Sequence, residues 1–225
     1  MKFAKKLLVI AIIVFIALMS FACKTSMQKR ATAISEFRDE VLVGKKENVD
    51  ATLISGYREE PFNVDGTSNA VKKDFAVLSV ECVTAQSELE YCMQSSNATF
   101  KGTLVKHPLK NSYSVELDER ITGSATLQVS LGDNVVEIML NSVRTSDMIT
   151  PDVALDIAES ELKKEIKQMN IDGDFSAEIF IRLLKNPINS EGGYFWYVAY
   201  AEDKYVVKAV LIHPITREIY AKKTE

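Results

Sequence analysis

Short apolar runs separated by glycine and proline fill the middle of the chain and limit the folds open to it. The runs that we predict as strands are 51–57, 74–84, 99–106, 112–118, 125–131 and 135–143. In the second run the even-numbered residues from Ala76 to Cys82 are all apolar, which places them on one face of a strand. Strands this close in sequence are expected to pair antiparallel, because a parallel pair needs a long crossover.

A helix is predicted before these strands, from Ala31 to Val43. Ile34, Phe37 and Val41 recur at helical spacing there, and Gly44 is a suitable stop. The region 31–145 is therefore expected to be an N-terminal helix followed by an antiparallel β meander or small sandwich.

The region 148–225 starts with a clear helix signal. Thr150 is a good capping residue, Pro151 favours the first turn and Asp152 favours the positive end of the helix dipole. One apolar stripe follows, made of Ala154, Ile157, Ala158, Leu162, Ile166 and Met169. Strands are predicted over 176–184, 194–201 and 205–213, with a short fourth over 218–221. We therefore expect an α+β fold, with this helix packed on a three- or four-stranded antiparallel sheet.

Residues 1–22 have the pattern of a secretory signal. A positive start with Lys2, Lys5 and Lys6 leads into an apolar run that contains a single serine. The run is shorter than the roughly 20 apolar residues that a spanning helix needs. It ends with Ser20 and Ala22, small residues directly before Cys23.

This segment resembles a bacterial lipoprotein signal, although Ser20 and Phe21 depart from the strict pattern. The resemblance implies that Cys23 is lipidated and becomes the mature N-terminus, with residues 23–30 as a tether. The protein would then lie outside the cytoplasm, anchored to the cell membrane or outer membrane. Ordinary secretion and an uncleaved anchor are the two alternatives.

Three patterns in residues 148–225 point to a second resemblance. Ile149-Thr150 leads into Ala154, Ile157 and Ala158, a predicted strand carries Trp196-Tyr197-Val198, and residues 213–219 form a closing turn. Together they resemble a PepSY domain, with its I-S/T-x-x-x-A-x-x-I-A helix and D-x-x-T-G-x-I/V turn. His213 replaces the usual Asp, and Arg217 replaces a Gly that permits positive φ, so Arg217 implies either a strained residue or a different turn.

The PepSY resemblance implies a non-catalytic module. Such modules occur in exported bacterial proteins and are suspected of restraining peptidases. They have no agreed catalytic residues, so none can be assigned here. No family is recognised in residues 31–143.

Charge limits the partners of the chain. Without the three lysines of residues 1–22, 24 basic and 31 acidic residues remain, a net charge of −7. This balance argues against nucleic acid, which needs a basic surface to neutralise phosphates. It also argues against electrostatic binding to anionic lipid.

Neither the cysteines nor the histidines indicate a reactive site. Cys82 and Cys92 either form a disulfide or, as we favour, stay free, and no histidine nearby completes a metal site. His107 and His213 each precede a proline at a strand end, where an exposed turn explains them. We predict no cofactor, no metal and no catalytic residue.

Two regions are candidates for a binding surface. Tyr57 and Arg58 lie next to the longest predicted loop, and they combine aromatic and charged groups as binding loops do. In the strand 194–201, alternation places Tyr194, Trp196 and Tyr200 on one face and Phe195 and Tyr197 on the other. If Trp196 lies under the helix, Phe195 and Tyr197 are the pair expected to be exposed; the alternative is that both faces of the strand are covered.

These observations favour a non-catalytic envelope protein that binds or restrains a protein partner. The alternative is an exported hydrolase that uses paired carboxylates as general acid and base.

The lipoprotein hypothesis predicts that Cys23 carries the label when the chain is expressed in its host with a palmitate analogue. The protein should partition into detergent phase, and Cys23→Ala should abolish labelling. Unlabelled wild-type protein released to the medium would contradict the hypothesis.

Overall fold

A computed structural model describes residues 26–68, 71–171, 174–189, 193–205 and 207–224. The signal segment and Cys23 lie outside these residues, as does Asp172-Gly173, a turn signal that predicts the end of the second helix. The helices are α1 (Ser26–Arg30), α2 (Pro151–Glu161) and α3 (Lys163–Gln168). The strands are β1 (Ile34–Lys46), β2 (Val49–Glu59), β3 (Lys72–Glu81), β4 (Glu88–Ser95), β5 (Thr99–Lys106), β6 (Ser112–Leu117), β7 (Ala125–Leu131), β8 (Asn134–Ser142), β9 (Asn170–Ile171), β10 (Asp174–Phe175), β11 (Glu178–Lys185), β12 (Tyr194–Ala201), β13 (Val207–Ile212) and β14 (Ile219–Lys223). No helix in this described part of the chain has both the length and the apolar character needed to cross a membrane.

Eight of the strands close into an antiparallel barrel. Their order is β1-β2-β3-β6-β5-β4-β7-β8, and β8 returns to β1 through the pairs Leu42–Ser142 and Val43–Asn141. The barrel is filled by a cluster of buried side chains that includes Leu53, Leu78 and Leu127. Apolar burial of this kind is the main stabilising contribution to such a fold.

A second sheet extends from the barrel through β1. The first half of β1 pairs parallel with β11, and β12, β13 and β14 continue antiparallel from there. One face of this sheet is covered by α2 and α3 and holds a second apolar core around Trp196. The indole Nε1 of Trp196 donates to the carbonyl oxygen of Ile149, at 3.1 Å, so its one polar group is satisfied inside this core.

The predicted α+β class is wrong, because the chain is mostly β and its first half is a closed barrel rather than a helix with a meander or sandwich. The helix predicted from Ala31 to Val43 is the strand β1. Its register shifts after Ile34 and again between Arg38 and Glu40. Each irregularity offsets the strand alternation, so that apolar residues recur three and four positions apart as on a helix.

The predicted division into residues 31–145 and 148–225 stays a prediction. Its boundary falls between β8 and α2, in a connection whose residues 144–147 are polar. Across that boundary, β1 pairs with β11 and contributes Ile34, Phe37 and Val41 to the second core.

Gly56 lies where β2 faces the irregular part of β1, so a substitution there tests how closely the two strands approach. A Cβ at Gly56 would overlap the backbone carbonyl of Phe37, which cannot move without disturbing the β1–β2 pairing. We expect Gly56→Ala to lower the free energy of unfolding by roughly 3–5 kcal/mol, measured by urea denaturation. The matched control is Gly102→Ala in β5, where the new Cβ would lie 3.4 Å from the Tyr91 ring, an ordinary contact. This control should change stability by less than about 1 kcal/mol, and an equal effect of both variants would contradict the account.

Candidate functional site

Three arginines lie together on the sheet face opposite α2, where β1 joins the barrel to the second sheet. Arg38 of β1 pairs across the sheet with Arg182 of β11, and Glu36 of β1 pairs with Arg58 of β2. We call the surface formed by Arg38, Arg58 and Arg182 the arginine face. The neighbouring residues Ile179 and Ile181 point into the core under α2, so alternation directs Arg182 to the opposite side.

Glu36 holds two of these arginines in place. Its side chain is fully buried, and it accepts hydrogen bonds from Arg38 and from Arg182, whose Nε lies 2.7 Å from Oε2. The side chains of Arg38 and Arg182 remain 30% and 26% exposed. A buried carboxylate is costly unless it is paired and hydrogen-bonded, and here two guanidinium groups supply both conditions.

Aromatic rings support the same three guanidinium groups. Arg58 and Arg38 lie 4.8 Å and 5.8 Å from the centre of the Phe75 ring, and Arg182 lies 5.0 Å from that of Phe180. At these distances cation–π attraction favours the observed orientation. Arg58 also forms an ion pair with Glu116 at the surface.

The loop between β2 and β3 folds over the edge of the arginine face. Phe62 packs edge-on against Phe180, with ring centres 6.2 Å apart. Further along, the backbone N–H groups of Asp65 and Gly66 both donate to Glu178 Oε1 at 2.7 Å. Glu178 is fully buried in β11, so a carboxyl oxygen of the second sheet holds the loop in place.

The structure separates Tyr57 from Arg58. Arg58 belongs to the arginine face, whereas Tyr57 points to the other side of β2 and stacks on Phe37 with ring centres 5.1 Å apart. Burial raises the pKa of Tyr57, while the nearby Arg120 acts in the opposite direction. Tyr57 is thus a packing residue, and its neighbour is the one that reaches the candidate site.

Only one of the two predicted aromatic residues of β12 borders the site. Tyr197 is half-buried and pairs directly with Arg182, and burial raises the pKa of its hydroxyl more than Arg182 lowers it. Phe195 is only 3% exposed and packs against His213 and Tyr220. The expectation that Phe195 is exposed is therefore wrong, because β14 and the preceding turn cover it.

The closing turn of the chain resolves the alternatives left open by Arg217. Arg217 has φ of 67°, in the left-handed region that glycine adopts most easily. His213 Nδ1 accepts hydrogen bonds from the backbone N–H groups of Ile215 and Thr216, at 3.3 Å and 3.1 Å. The imidazole of His213 thus satisfies two backbone N–H groups of the turn, and Arg217 is the strained residue of the two alternatives.

The cysteines take no part in the arginine face. Cys82 is buried after β3 and Cys92 is half-buried in β4, and both are free thiols. Burial raises the pKa of the Cys82 thiol, which disfavours the reactive thiolate. Among the residues that the structure describes, no three His, Cys, Asp or Glu side chains lie close enough to hold a metal ion.

Sequence reasoning identified Arg58 but missed Glu36, Arg38 and Arg182. The signal for Glu36 and Arg38 was the series of charges within 36–40, between apolar residues of a segment predicted to be a helix, whereas Arg182 had no comparable signal. On a helix those charges would be solvated, whereas in a strand that pairs with three others Glu36 is buried and forms an ion pair with Arg38.

No family model matches the chain, and neither the curated proteins nor the solved structures contain a significant match. The resemblances to a lipoprotein signal and to a PepSY domain therefore stay predictions.

The same substitution, Glu→Gln, at two positions tests how far the arginine face depends on its buried carboxylate. Glu36→Gln removes the charge shared by Arg38 and Arg182, and we expect it to lower the free energy of unfolding, measured by urea denaturation, by roughly 1–3 kcal/mol. The cost is moderated because both guanidinium groups can reach solvent. Glu116→Gln removes the partner of Arg58, but this carboxylate is 46% exposed, so the cost should stay below about 1 kcal/mol. Equal costs would mean that burial of Glu36 does not organise the site.

Proposed function

We propose that the chain is an exported, lipid-anchored, non-catalytic envelope protein that binds or restrains a protein partner through the arginine face. The observation that carries this proposal is the trio of half-buried guanidinium groups, which are fixed by Glu36 and by aromatic rings before any partner binds. Side chains that are already ordered lose less conformational freedom on association than mobile ones.

The chemistry of the face indicates the chemistry of the partner. Arginine and aromatic residues are enriched at the centres of protein interfaces and dominate their energetics. Guanidinium N–H groups recognise carboxylates in a planar, often bidentate geometry. The proposed partner segment therefore combines an acidic side chain with an apolar or aromatic one that packs on Phe62 and Tyr197.

The two sequence resemblances support the location and the mode of action. A lipid on Cys23 would hold the protein at the membrane surface, and a PepSY-like second half would fit a restraining role. Restraint requires a specific contact rather than turnover, and a rigid charged surface is suited to that.

Arg58 provides the sharpest test, because its ion pair is with the surface carboxylate of Glu116 rather than with the buried Glu36. With the full chain as bait in native membranes, Arg58→Gln should reduce recovery of the captured partner about tenfold. Lys45→Gln, which breaks the exposed Lys45–Asp50 pair of the β1–β2 hairpin, is the matched control and should leave recovery unchanged.

Equal recovery with both variants would exclude the arginine face as the binding surface. Turnover of a polysaccharide or peptide by the purified chain would instead favour the exported hydrolase.

A further inference from the structure

The short helix α1 is fixed to α2 by a single carboxylate. Ser26 Oγ donates to Glu159 Oε2 at 3.2 Å, and Arg30 Nε donates to Glu159 Oε1 at 2.8 Å. The guanidinium group of Arg30 also lies 4.1 Å from the centre of the Phe175 ring. Met27 packs against the second core between these two anchor points. Both ends of α1 are therefore held, and its position relative to the rest of the protein is defined.

The position of α1 limits how far the protein can lie from a lipid on Cys23. Only Lys24 and Thr25 separate Cys23 from Ser26. Three consecutive Cα–Cα steps span at most about 11 Å. Because α1 is docked, an anchor at Cys23 would hold Ser26 within that distance of the lipidated residue, and so keep the depression beside α1 on the membrane-proximal side.

Two lysines of α3 line an open depression beside α1. Lys163 and Lys167 are four residues apart on the helix, and they share a depression of about 620 Å³ with Ser26 and Arg30. Both lysines are exposed, and within the described residues neither has an ion-pair partner. By contrast, Lys222 on the neighbouring strand is paired with Glu161.

Local charge at this depression differs from that of the whole chain. Three basic side chains line it together with two acidic ones, Asp156 and Glu159, and Glu159 is already paired with Arg30. The net charge of −7 predicts no attraction to anionic lipid. Charges further away than the Debye length, about 8 Å at physiological ionic strength, contribute little to such a contact.

We propose that the depression between α1 and α3 faces the membrane, and that Lys163 and Lys167 bind the phosphates of anionic lipids. This inference rests on the proposed lipid anchor at Cys23. It adds an orientation to that anchor: the helices lie towards the membrane, and the arginine face, on the opposite side of the second sheet, points away from it. The partner would then approach from the side that the membrane leaves open.

Lysine acetylation by a membrane-impermeant reagent, read by mass spectrometry, tests this orientation on the full chain. The lipid-anchored protein is reconstituted in phosphatidylcholine vesicles with and without phosphatidylglycerol. Attraction to an anionic surface stabilises the bound state of a nearby lysine by about 1 kcal/mol. Because a bound lysine is shielded from the reagent, we expect Lys163 and Lys167 to label about fivefold more slowly in the anionic vesicles. Lys101 and Lys110, exposed on the barrel, should label equally in both.

Flotation of the vesicles separates the inference from the proposal on which it rests. If the chain floats but all four lysines label alike, the orientation is wrong and the anchor stands. If the wild-type chain does not float, or floats as well after Cys23→Ala, the lipid anchor fails and the inference fails with it.

A pair of double variants shows whether the lysines themselves cause the orientation. In Lys163→Gln/Lys167→Gln, the exposed Lys29 of α1 serves as the reporter. We expect Lys29 of the wild-type chain to label more slowly in anionic vesicles as well. This effect should be lost in the Lys163→Gln/Lys167→Gln variant and kept in Lys101→Gln/Lys110→Gln. Retention of the effect at Lys29 in both variants would overturn the role assigned to Lys163 and Lys167.

Discussion

β1 pairs with three strands, and this forces its charged residues into the interior. It pairs with β2 along its length, with β11 in its first half and with β8 in its second. Glu36, Asp39 and Glu40 are consequently buried, and each has its own partner: two arginines for Glu36, Arg120 and Arg144 for Asp39, and the Ser142 hydroxyl for Glu40. Removing one partner from a buried pair is more damaging than never having had the pair, so these contacts specify which strands meet.

The arginine face follows from the same constraint. Because Glu36 is buried where the barrel joins the second sheet, its charge needs partners, and Arg38 of β1 and Arg182 of β11 supply them. The β1–β2 register places Arg58 next to these residues. Phe75 pairs with Gly56 across β2 and β3, and it provides the ring over which Arg58 lies. The surface that we propose for partner binding is thus formed partly by the contacts of Glu36 that join the barrel to the second sheet. Mutations that alter binding there are best placed at Arg58, because its ion pair is with the exposed Glu116 rather than with Glu36.

Local patterns in the sequence were sufficient to predict several strands, but they could not predict which distant strands pair. The strands 99–106, 125–131 and 194–201 coincide with β5, β7 and β12, because alternation and flanking turn residues define them. β4 was missed although its apolar residues Leu89, Tyr91 and Met93 alternate with polar ones. Closure of the barrel depends on β1 meeting β8, and the second sheet depends on β1 meeting β11. These partners lie about a hundred residues or more apart, and no local signal reports them. Arg58 was predictable as a charged residue near a loop, whereas Arg38 and Arg182 acquire their role only through those pairings.

The second sheet is a single layer between the helices and the arginine face, and this gives the two proposed surfaces a fixed relation. Alternation along β11 and β12 sends Ile181 and Trp196 towards α2, and Arg182 and Tyr197 to the other side. α1 is fixed to α2 through Glu159, so the route from Cys23 to the arginine face runs through docked elements after Ser26. A flexible tether would let the binding face sample every orientation to the membrane. In the orientation that we propose, the docked α1 fixes how the arginine face lies relative to the membrane, and a partner in the same membrane would have to extend past the helices to reach that face.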